Sequence, residues 1–79
     1  MVLAERIVET HEPDFIKVKL DFDLSKREVE VLRCIFLEFT NKTIAEKLFI
    51  SEFTVKDHIK KIMQKMNVRS RGEMIAFLK

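Results

Sequence analysis

Residues 51–67 read SEFTVKDHIKKIMQKMN, and this stretch decides the fold of the chain. Its apolar residues recur at helical spacing: Val55, Ile59, Ile62 and Met66. A stripe of this kind lies along one side of a helix and favours burial of that side. Ser51 is a typical N-cap residue, and Asn67 readily adopts the left-handed conformation that ends a helix. The pattern therefore predicts a helix between Ser51 and Asn67 with one buried face.

The opposite side of this helix is expected to be polar and mostly basic. When each residue advances about 100° around the helix axis, the outer face contains Phe53, Asp57, Lys60 and Gln64, flanked by Lys56 and Lys61. This arrangement fits two interpretations equally well. One is a solvated helix surface, and the other is a surface that binds a polyanion such as DNA.

A shorter helix is predicted directly before this one. Thr40 or Asn41 caps it, and it continues to about Leu48. The residues LFIS then join it to the helix that follows Ser51. Two helices connected by so short a turn are typical of a helix-turn-helix, in which the first helix supports the second against the DNA major groove.

Two capping boxes predict a further helix on each side of this pair. Ser25 and Glu28 open a helix over roughly residues 26–38, because the serine hydroxyl accepts from a first-turn amide and the glutamate side chain accepts from the amide of the cap residue. Ser70 and Glu73 open a last helix, which continues through Leu78. The sequence therefore predicts an all-α, four-helix domain over residues 24–79.

The N-terminal residues show a different pattern. Ile16, Val18, Leu20 and Phe22 alternate with charged residues at period two, which is typical of an extended chain. The apolar residues before Pro13 fit one short helix: Leu3, Ile7 and Val8. We therefore expect residues 1–23 to form a short extended arm that lies along the helical domain or pairs with another chain.

The composition limits the chain to one compact domain, because its 79 residues are 47% hydrophobic with one Gly and one Pro. The net charge of +2 is unevenly distributed. Residues 1–40 carry six Lys/Arg against nine Asp/Glu, whereas residues 41–71 carry eight against three. A basic block is compatible with nucleic-acid binding, although a solvated surface of mixed charge is its more common origin.

The sequence lacks the residue patterns of enzymes and metal proteins. Cys34 is the only cysteine, and the chain shows no Gly-rich phosphate loop, paired-carboxylate pocket or nucleophile with a base. We therefore expect no catalytic residue, metal ligand or cofactor. The longest apolar run is the five residues from Met74 to Leu78, so we expect no membrane span and a cytoplasmic location.

Three segments resemble the LuxR/GerE/NarL family of bacterial helix-turn-helix domains. They are LSKREVEVLR at 24–33, NKTIAEKLFIS at 41–51 and TVKDHIKKIMQKMNVRSR at 54–71. The resemblance implies a bacterial transcription regulator whose third helix reads double-stranded DNA and whose fourth helix often dimerises. Region 4 of sigma factors shares part of this framework, but it does not usually combine His58 with the NVRSR ending.

The resemblance also implies roles for individual residues. Lys56, Asp57 and Lys60 match family positions that approach bases, and Phe53 and Gln64 share their outer face. The positions that match residues near DNA phosphates are Asn41, Lys42, Thr54, Lys61 and Arg71. Lysine can reach guanine acceptors or phosphate oxygens, and a threonine hydroxyl can bond a phosphate. His58 lies beside the apolar stripe, so we interpret it as structural.

The last helix is the expected dimer contact. Its apolar residues are predicted to face inward: Met74, Ile75, Phe77 and Leu78. Gly72 and Ala76 face outward four residues apart, and small residues at this spacing let a second helix approach closely. We therefore expect a homodimer through Gly72 and Ala76, with an exposed, unpartnered helix as the alternative.

Two residues depart from the family pattern. Glu38 occupies a position where Gly is usual, and a non-Gly residue in the left-handed conformation costs about 1 kcal/mol. The loop after Glu38 could therefore have a different conformation from that of other family members. Phe53 stands where Lys or Arg is frequent, and its ring could touch a thymine methyl group or fold against Phe49.

We expect sequence-specific DNA binding in transcriptional control. The alternative is a protein-interaction module of the same fold that binds a regulator or RNA polymerase, which Phe53 and Asp57 favour. Many family members carry this domain after a receiver or ligand-binding domain, so the chain is either a free-standing regulator or an excised fragment.

Overall fold

The computed structural model describes residues 12–79 and shows five α-helices. They are α1 (Phe15–Phe22), α2 (Lys26–Phe36), α3 (Asn41–Leu48), α4 (Glu52–Met66) and α5 (Arg71–Leu78). No strand occurs among these residues, so the predicted all-α fold is confirmed. The four helices predicted from the sequence are α2 to α5. The predicted helix at Leu3, Ile7 and Val8 lies outside the described residues.

The expected extended arm is wrong for residues 15–22, which form α1. Asp14 caps this helix by accepting a hydrogen bond from the Lys17 backbone N–H at 3.1 Å. Phe15 contacts Phe36 edge-to-face at 6.1 Å, and Phe22 contacts Phe77 at 5.4 Å between ring centroids. The period-two reading failed because Phe15, Val18 and Phe22 form a helical stripe, which leaves Ile16 and Leu20 74% exposed. The boundary between residues 23 and 24 stays a prediction.

Local capping signals place the other helices as expected. Thr40 and Ser51 cap α3 and α4, and Asn67 ends α4 in the left-handed conformation with φ 57°. The Ser25–Glu28 capping box at α2 is complete. The capping box predicted for α5 is only half formed, since Ser70 accepts from the Glu73 N–H at 3.0 Å. The Glu73 carboxylate accepts instead from the Arg69 N–H at 2.7 Å.

The core forms where α4 packs against α2 and α3. Its buried apolar residues are Leu24, Val31, Leu32, Ile35, Ile44, Ala45, Val55, Ile59, Ile62, Met66, Met74 and Leu78. The predicted stripe on α4 is therefore the buried side of that helix. Phe77 was expected to face inward, but it is 53% exposed and packs at the rim against Phe22.

An ion pair between buried Glu28 and exposed Lys65 joins the start of α2 to the end of α4. The Glu28 carboxylate accepts from the Lys65 ammonium at 2.8 Å and from the Ser25 N–H at 2.8 Å. The Lys65 ammonium also donates to the Asp23 carbonyl at 3.0 Å. Burial raises the pKa of Glu28, but the hydrogen bonds from Lys65 and Ser25 outweigh burial and hold the pKa below its ordinary value.

Two bulky residues in connecting turns adopt the left-handed conformation. Glu38 has φ 62°, so the turn after α2 keeps the backbone shape that Gly would favour. Phe49 has φ 59° and ends α3, and the Ile50 N–H donates to the Ala45 carbonyl at 3.0 Å. Among the helices of residues 12–79, none is long and apolar enough to cross a lipid bilayer.

Candidate nucleic-acid interface

The packing of α3 against α4 fixes which side of α4 meets solvent. Ile44 and Ala45 on α3 are buried, as are Val55 and Ile59 on α4. Left-handed Phe49 ends α3 and Ser51 caps α4 two residues later, so the two helices are joined by a short turn. This is the predicted helix-turn-helix, and it directs the side of α4 opposite the core away from the domain.

The exposed side of α4 brings the expected base-reading residues together. We call this surface the outer face of α4, and it contains Phe53, Lys56, Asp57, Lys60, Lys61 and Gln64, all of which are exposed. Phe53, Lys56, Asp57 and Lys60 line a shallow groove. Lys56 and Lys60 form no salt bridge within residues 12–79. Their ammonium groups are thus available to an anion.

Asp57 and Lys61 are coupled on this face. The Lys61 ammonium lies 3.3 Å from the Asp57 carboxylate, one helical turn away, and both side chains are about half exposed. The structure therefore joins an expected base-reading residue to an expected phosphate-contacting residue. An exposed pair of this kind adds little stability, but it holds Lys61 close to a negative charge.

The two helix N-termini carry other expected phosphate ligands. Lys42 is exposed in the first turn of α3. Thr54 is half-buried in the first turn of α4, and its hydroxyl lies 2.9 Å from the Ser51 hydroxyl. First-turn amides of a helix present unsatisfied N–H groups and a partial positive charge, which favour an anion. Lys42 thus places an exposed positive charge at a helix N-terminus, whereas Thr54 offers a half-buried, neutral hydroxyl there.

Asn41 and Arg71 contact each other, which the sequence did not indicate. The Arg71 guanidinium donates to Asn41 Oδ1 at 2.6 Å and also to the Phe39 carbonyl. Both side chains are half-buried. Their polar groups are therefore directed at the protein as well as at solvent. No local sequence signal predicts this contact, because 30 residues separate the partners.

The exposure of Phe49, Phe53 and His58 can be compared with the roles expected from the sequence. Phe53 is 76% exposed and Phe49 is 93% exposed, so neither ring covers the other. The interpretation in which Phe53 folds against Phe49 is therefore wrong. His58 is half-buried beside the core stripe, and its Nδ1 is buried without a hydrogen-bond partner among the described residues.

Two residues with other potential roles do not form a site. Lys65 belongs to the basic block, but its ammonium is bonded to Glu28 and to the Asp23 carbonyl. Cys34 is half-buried, and burial raises the pKa of its thiol. The part of the chain that the structure describes contains no cluster of His, Cys, Asp and Glu suited to a metal ion.

On α5, Gly72 and Ala76 are both exposed, as expected for the outward side of that helix. A Cβ atom added at Gly72 would meet only the Ser70 hydroxyl oxygen, at 4.0 Å. This part of the α5 surface is thus open to an approaching helix.

Residues 23–78 match the family model described as "Bacterial regulatory proteins, luxR family". The chain is 50% identical over 54 residues to the oxygen regulatory protein NreC of Staphylococcus carnosus, which covers 68% of this chain and 25% of NreC. It is 46% identical over 55 residues to the spore germination protein GerE of Bacillus subtilis, which covers 70% of this chain and 74% of GerE.

The uncharacterized transcriptional regulatory protein YxjL of Bacillus subtilis is 47% identical over 53 residues, covering 67% of this chain and 24% of YxjL. The matched part of the chain thus spans about a quarter of the length of relatives such as NreC, and about three quarters of GerE. Helix α1 lies outside the residues that the family model matches.

Proposed function

Because the chain belongs to the luxR family of bacterial regulatory proteins, we propose that it binds double-stranded DNA sequence-specifically, with α4 in the major groove. The observation that carries the proposal is the outer face of α4, where exposed Lys56 and Lys60 flank a shallow groove opposite the buried stripe. An α-helix fits the B-DNA major groove, in which each base pair presents a distinct pattern of donors and acceptors.

Each side chain of the groove has a chemical counterpart on the bases. Lys56 and Lys60 can donate to the O6 and N7 acceptors of guanine, and Asp57 can accept from the cytosine amino group. The Phe53 ring is available to a thymine methyl group because it is 76% exposed. Gln64, further along the same face, can pair with adenine.

General affinity is assigned to contacts with the DNA backbone. Lys42 and Thr54 lie in the first turns of α3 and α4, where amide groups and the helix dipole add to their attraction for phosphate. Lys61 contributes a further positive charge beside the groove. Asn41 and Arg71 complete the set of residues that we place close to the backbone.

The proposed assembly is a homodimer through α5 on an inverted repeat. Exposed Gly72 and Ala76 support it, since both leave room for a second helix. Ala76→Glu should shift the protein toward monomer in sedimentation and should weaken binding to a duplex with two half-sites more than to a single half-site. A parent protein that sediments as a monomer at high concentration would remove the basis for this assembly.

Selection of bound sequences from a random duplex pool, followed by a salt titration, tests the proposal. A domain that neutralises about four to eight phosphates should lose affinity with rising salt, at a slope of roughly −0.9 per phosphate on logarithmic axes. Lys42→Ala should weaken binding to all duplexes alike. Enrichment of an inverted repeat would support the dimer, and recovery of no enriched sequence would contradict sequence-specific binding.

A second candidate function is a protein-interaction module that binds another regulator or RNA polymerase. Phe49 and Phe53 favour it, because large exposed rings beside a polar face also occur at protein interfaces. The salt titration separates the two candidates. An interaction module should show no DNA affinity to titrate, whereas a DNA reader must lose affinity as salt rises.

A further inference from the structure

Arg71 connects α5 to the start of α3 through two hydrogen bonds. One guanidinium nitrogen donates to Asn41 Oδ1 at 2.6 Å, and the other terminal nitrogen donates to the Phe39 carbonyl. These two acceptors flank Thr40, the N-cap residue of α3. The guanidinium thus holds the chain on both sides of the cap. We call this arrangement the Arg71 bracket.

We propose that Arg71 is a positioning residue, which fixes the first turn of α3 relative to α5 so that Lys42 and the free amides of that turn meet a DNA phosphate. This inference rests on the proposed DNA-binding function. Arg71 is also the first residue of α5, the proposed dimer helix. The bracket therefore links the helix that sets the spacing of the two half-sites to a turn that contacts the DNA backbone.

The chemistry of the side chain suits this role. A guanidinium presents its donors in a rigid planar fork, which can hold two acceptors at a fixed separation. A lysine ammonium is a point charge on a flexible stem and keeps the positive charge without the fork. Replacing Arg71 by Lys thus separates geometry from charge.

A positioning role and a direct phosphate contact differ in their dependence on salt. Removal of one neutralised phosphate changes the slope of log affinity against log salt by about 0.9. Misplacement of the first turn of α3 lowers affinity while the charge available to phosphates stays the same. Arg71→Gln removes the charge as well as the fork, so a direct phosphate contact predicts a slope smaller by about 0.9, whereas the positioning role predicts a lower affinity with an unchanged slope.

The experiment compares Arg71→Lys with Arg69→Lys, a matched control two residues away. Arg69 is exposed, and only its backbone N–H has a hydrogen-bond partner among the described residues. Since a hydrogen bond to a charged group is lost, we expect Arg71→Lys to lower DNA affinity about tenfold at each salt concentration. Amide hydrogen exchange at Thr43 and Ile44, measured without DNA, should accelerate by a similar factor. The control should change neither quantity.

Asn41→Ala supplies an independent check, because it removes one of the two acceptors. Its effect on exchange in α3 should not add to that of Arg71→Lys, since the two residues share a contact. Additive effects would contradict the bracket, and so would parental exchange and affinity in Arg71→Lys. A changed salt slope in Arg71→Gln, together with parental exchange in Arg71→Lys, would identify a direct phosphate contact and overturn the positioning role.

The test also distinguishes this inference from the proposed function. If the parent protein has no affinity for DNA, the proposed function fails and the DNA part of this inference fails with it. The amide hydrogen exchange rates of the free protein then test the Arg71 bracket alone. If the parent binds DNA but Arg71→Lys behaves as the control, only the positioning role is overturned.

Discussion

Lys60 and Lys65 lie on the same helix five residues apart, yet they occupy different environments. Lys60 is exposed on the outer face of α4 without a salt-bridge partner among the described residues, whereas Lys65 is bonded to a buried carboxylate on α2. The charge of a basic helix therefore divides into a part that stabilises the fold and a part that is available to a ligand. The partner of each lysine, rather than the count of lysines, determines its role.

Truncation of the inner side of α4 should have the largest effect. Ile59 is 8% exposed, and Ile59→Ala should lower the free energy of unfolding by about 2 to 5 kcal/mol, because it removes buried apolar volume. Thermal and denaturant unfolding measure this loss. DNA binding should weaken only to the extent that the protein unfolds. A fully folded Ile59→Ala variant without DNA affinity would contradict the claim that the inner side of α4 serves stability alone.

Removal of the Glu28–Lys65 ion pair should give the next largest loss of stability, and this loss should depend on pH. Glu28→Gln should lower the free energy of unfolding by about 1 to 3 kcal/mol, since it removes a charged acceptor from Lys65. The pKa of Glu28 is lowered in the folded protein, so its contribution is fully present above the ordinary value of 4.5 and is lost as pH falls through the folded value.

Measurement of the free energy of unfolding from pH 7 down to pH 3 checks whether the contribution of Glu28 is lost as the pH falls. The parent should lose more stability below pH 4.5 than the Gln variant, because the variant has no carboxylate to protonate at this position. Parallel pH profiles for the two proteins would show that the pair does not contribute in this way.

On the outer face, Asp57→Ala should change specificity more than stability. The substitution deletes an acceptor for a cytosine amino group, which should relax preference at one base pair by roughly 1 kcal/mol. It also releases Lys61 from the ion pair and removes a charge that repels phosphate, so non-specific affinity should rise. Competition binding with single-base variants of the selected site measures both changes, and an unaltered base preference would exclude Asp57 from base reading.

The smallest effect on stability is expected in the turn after α2, which lies outside both sides of α4. Glu38 has φ 62°, so Glu38→Gly should stabilise the protein by up to about 1 kcal/mol by relieving the left-handed strain. Glu38→Ala keeps the Cβ atom and serves as the control, with little change expected. Equal melting temperatures for the Gly and Ala variants would show that the strain is absorbed elsewhere.

Much of the fold could be predicted because its signals are local. Ser51, Thr40 and Asn67 mark helix ends through their own side chains, and the stripe on α4 follows from helical periodicity. The sequence of α1 does not by itself predict a helix, because its apolar residues fit both a period of two and a helical period. Contacts with Phe36 and Phe77, which are distant in sequence, favour the helical one.

The candidate site can be predicted only in part, because some of its contacts join residues that are distant in sequence. Exposure of Lys56 and Lys60 follows from the position of the core stripe. The ion pair of Lys65, by contrast, is formed with Glu28, which is 37 positions away, and the contact between Arg71 and Asn41 spans 30 positions. Such pairings arise from tertiary packing and leave no trace in local spacing.

The central claim is that the outer face of α4 reads DNA sequence while its inner side holds the helix in place. Lys60→Ala tests it most directly, through thermal melts paired with affinities for the best selected site and for a scrambled duplex. The account predicts a parental melting temperature and a loss of about 1 to 3 kcal/mol at the best site, with a much smaller loss on the scrambled duplex. Equal losses on both duplexes at an unchanged melting temperature would contradict it.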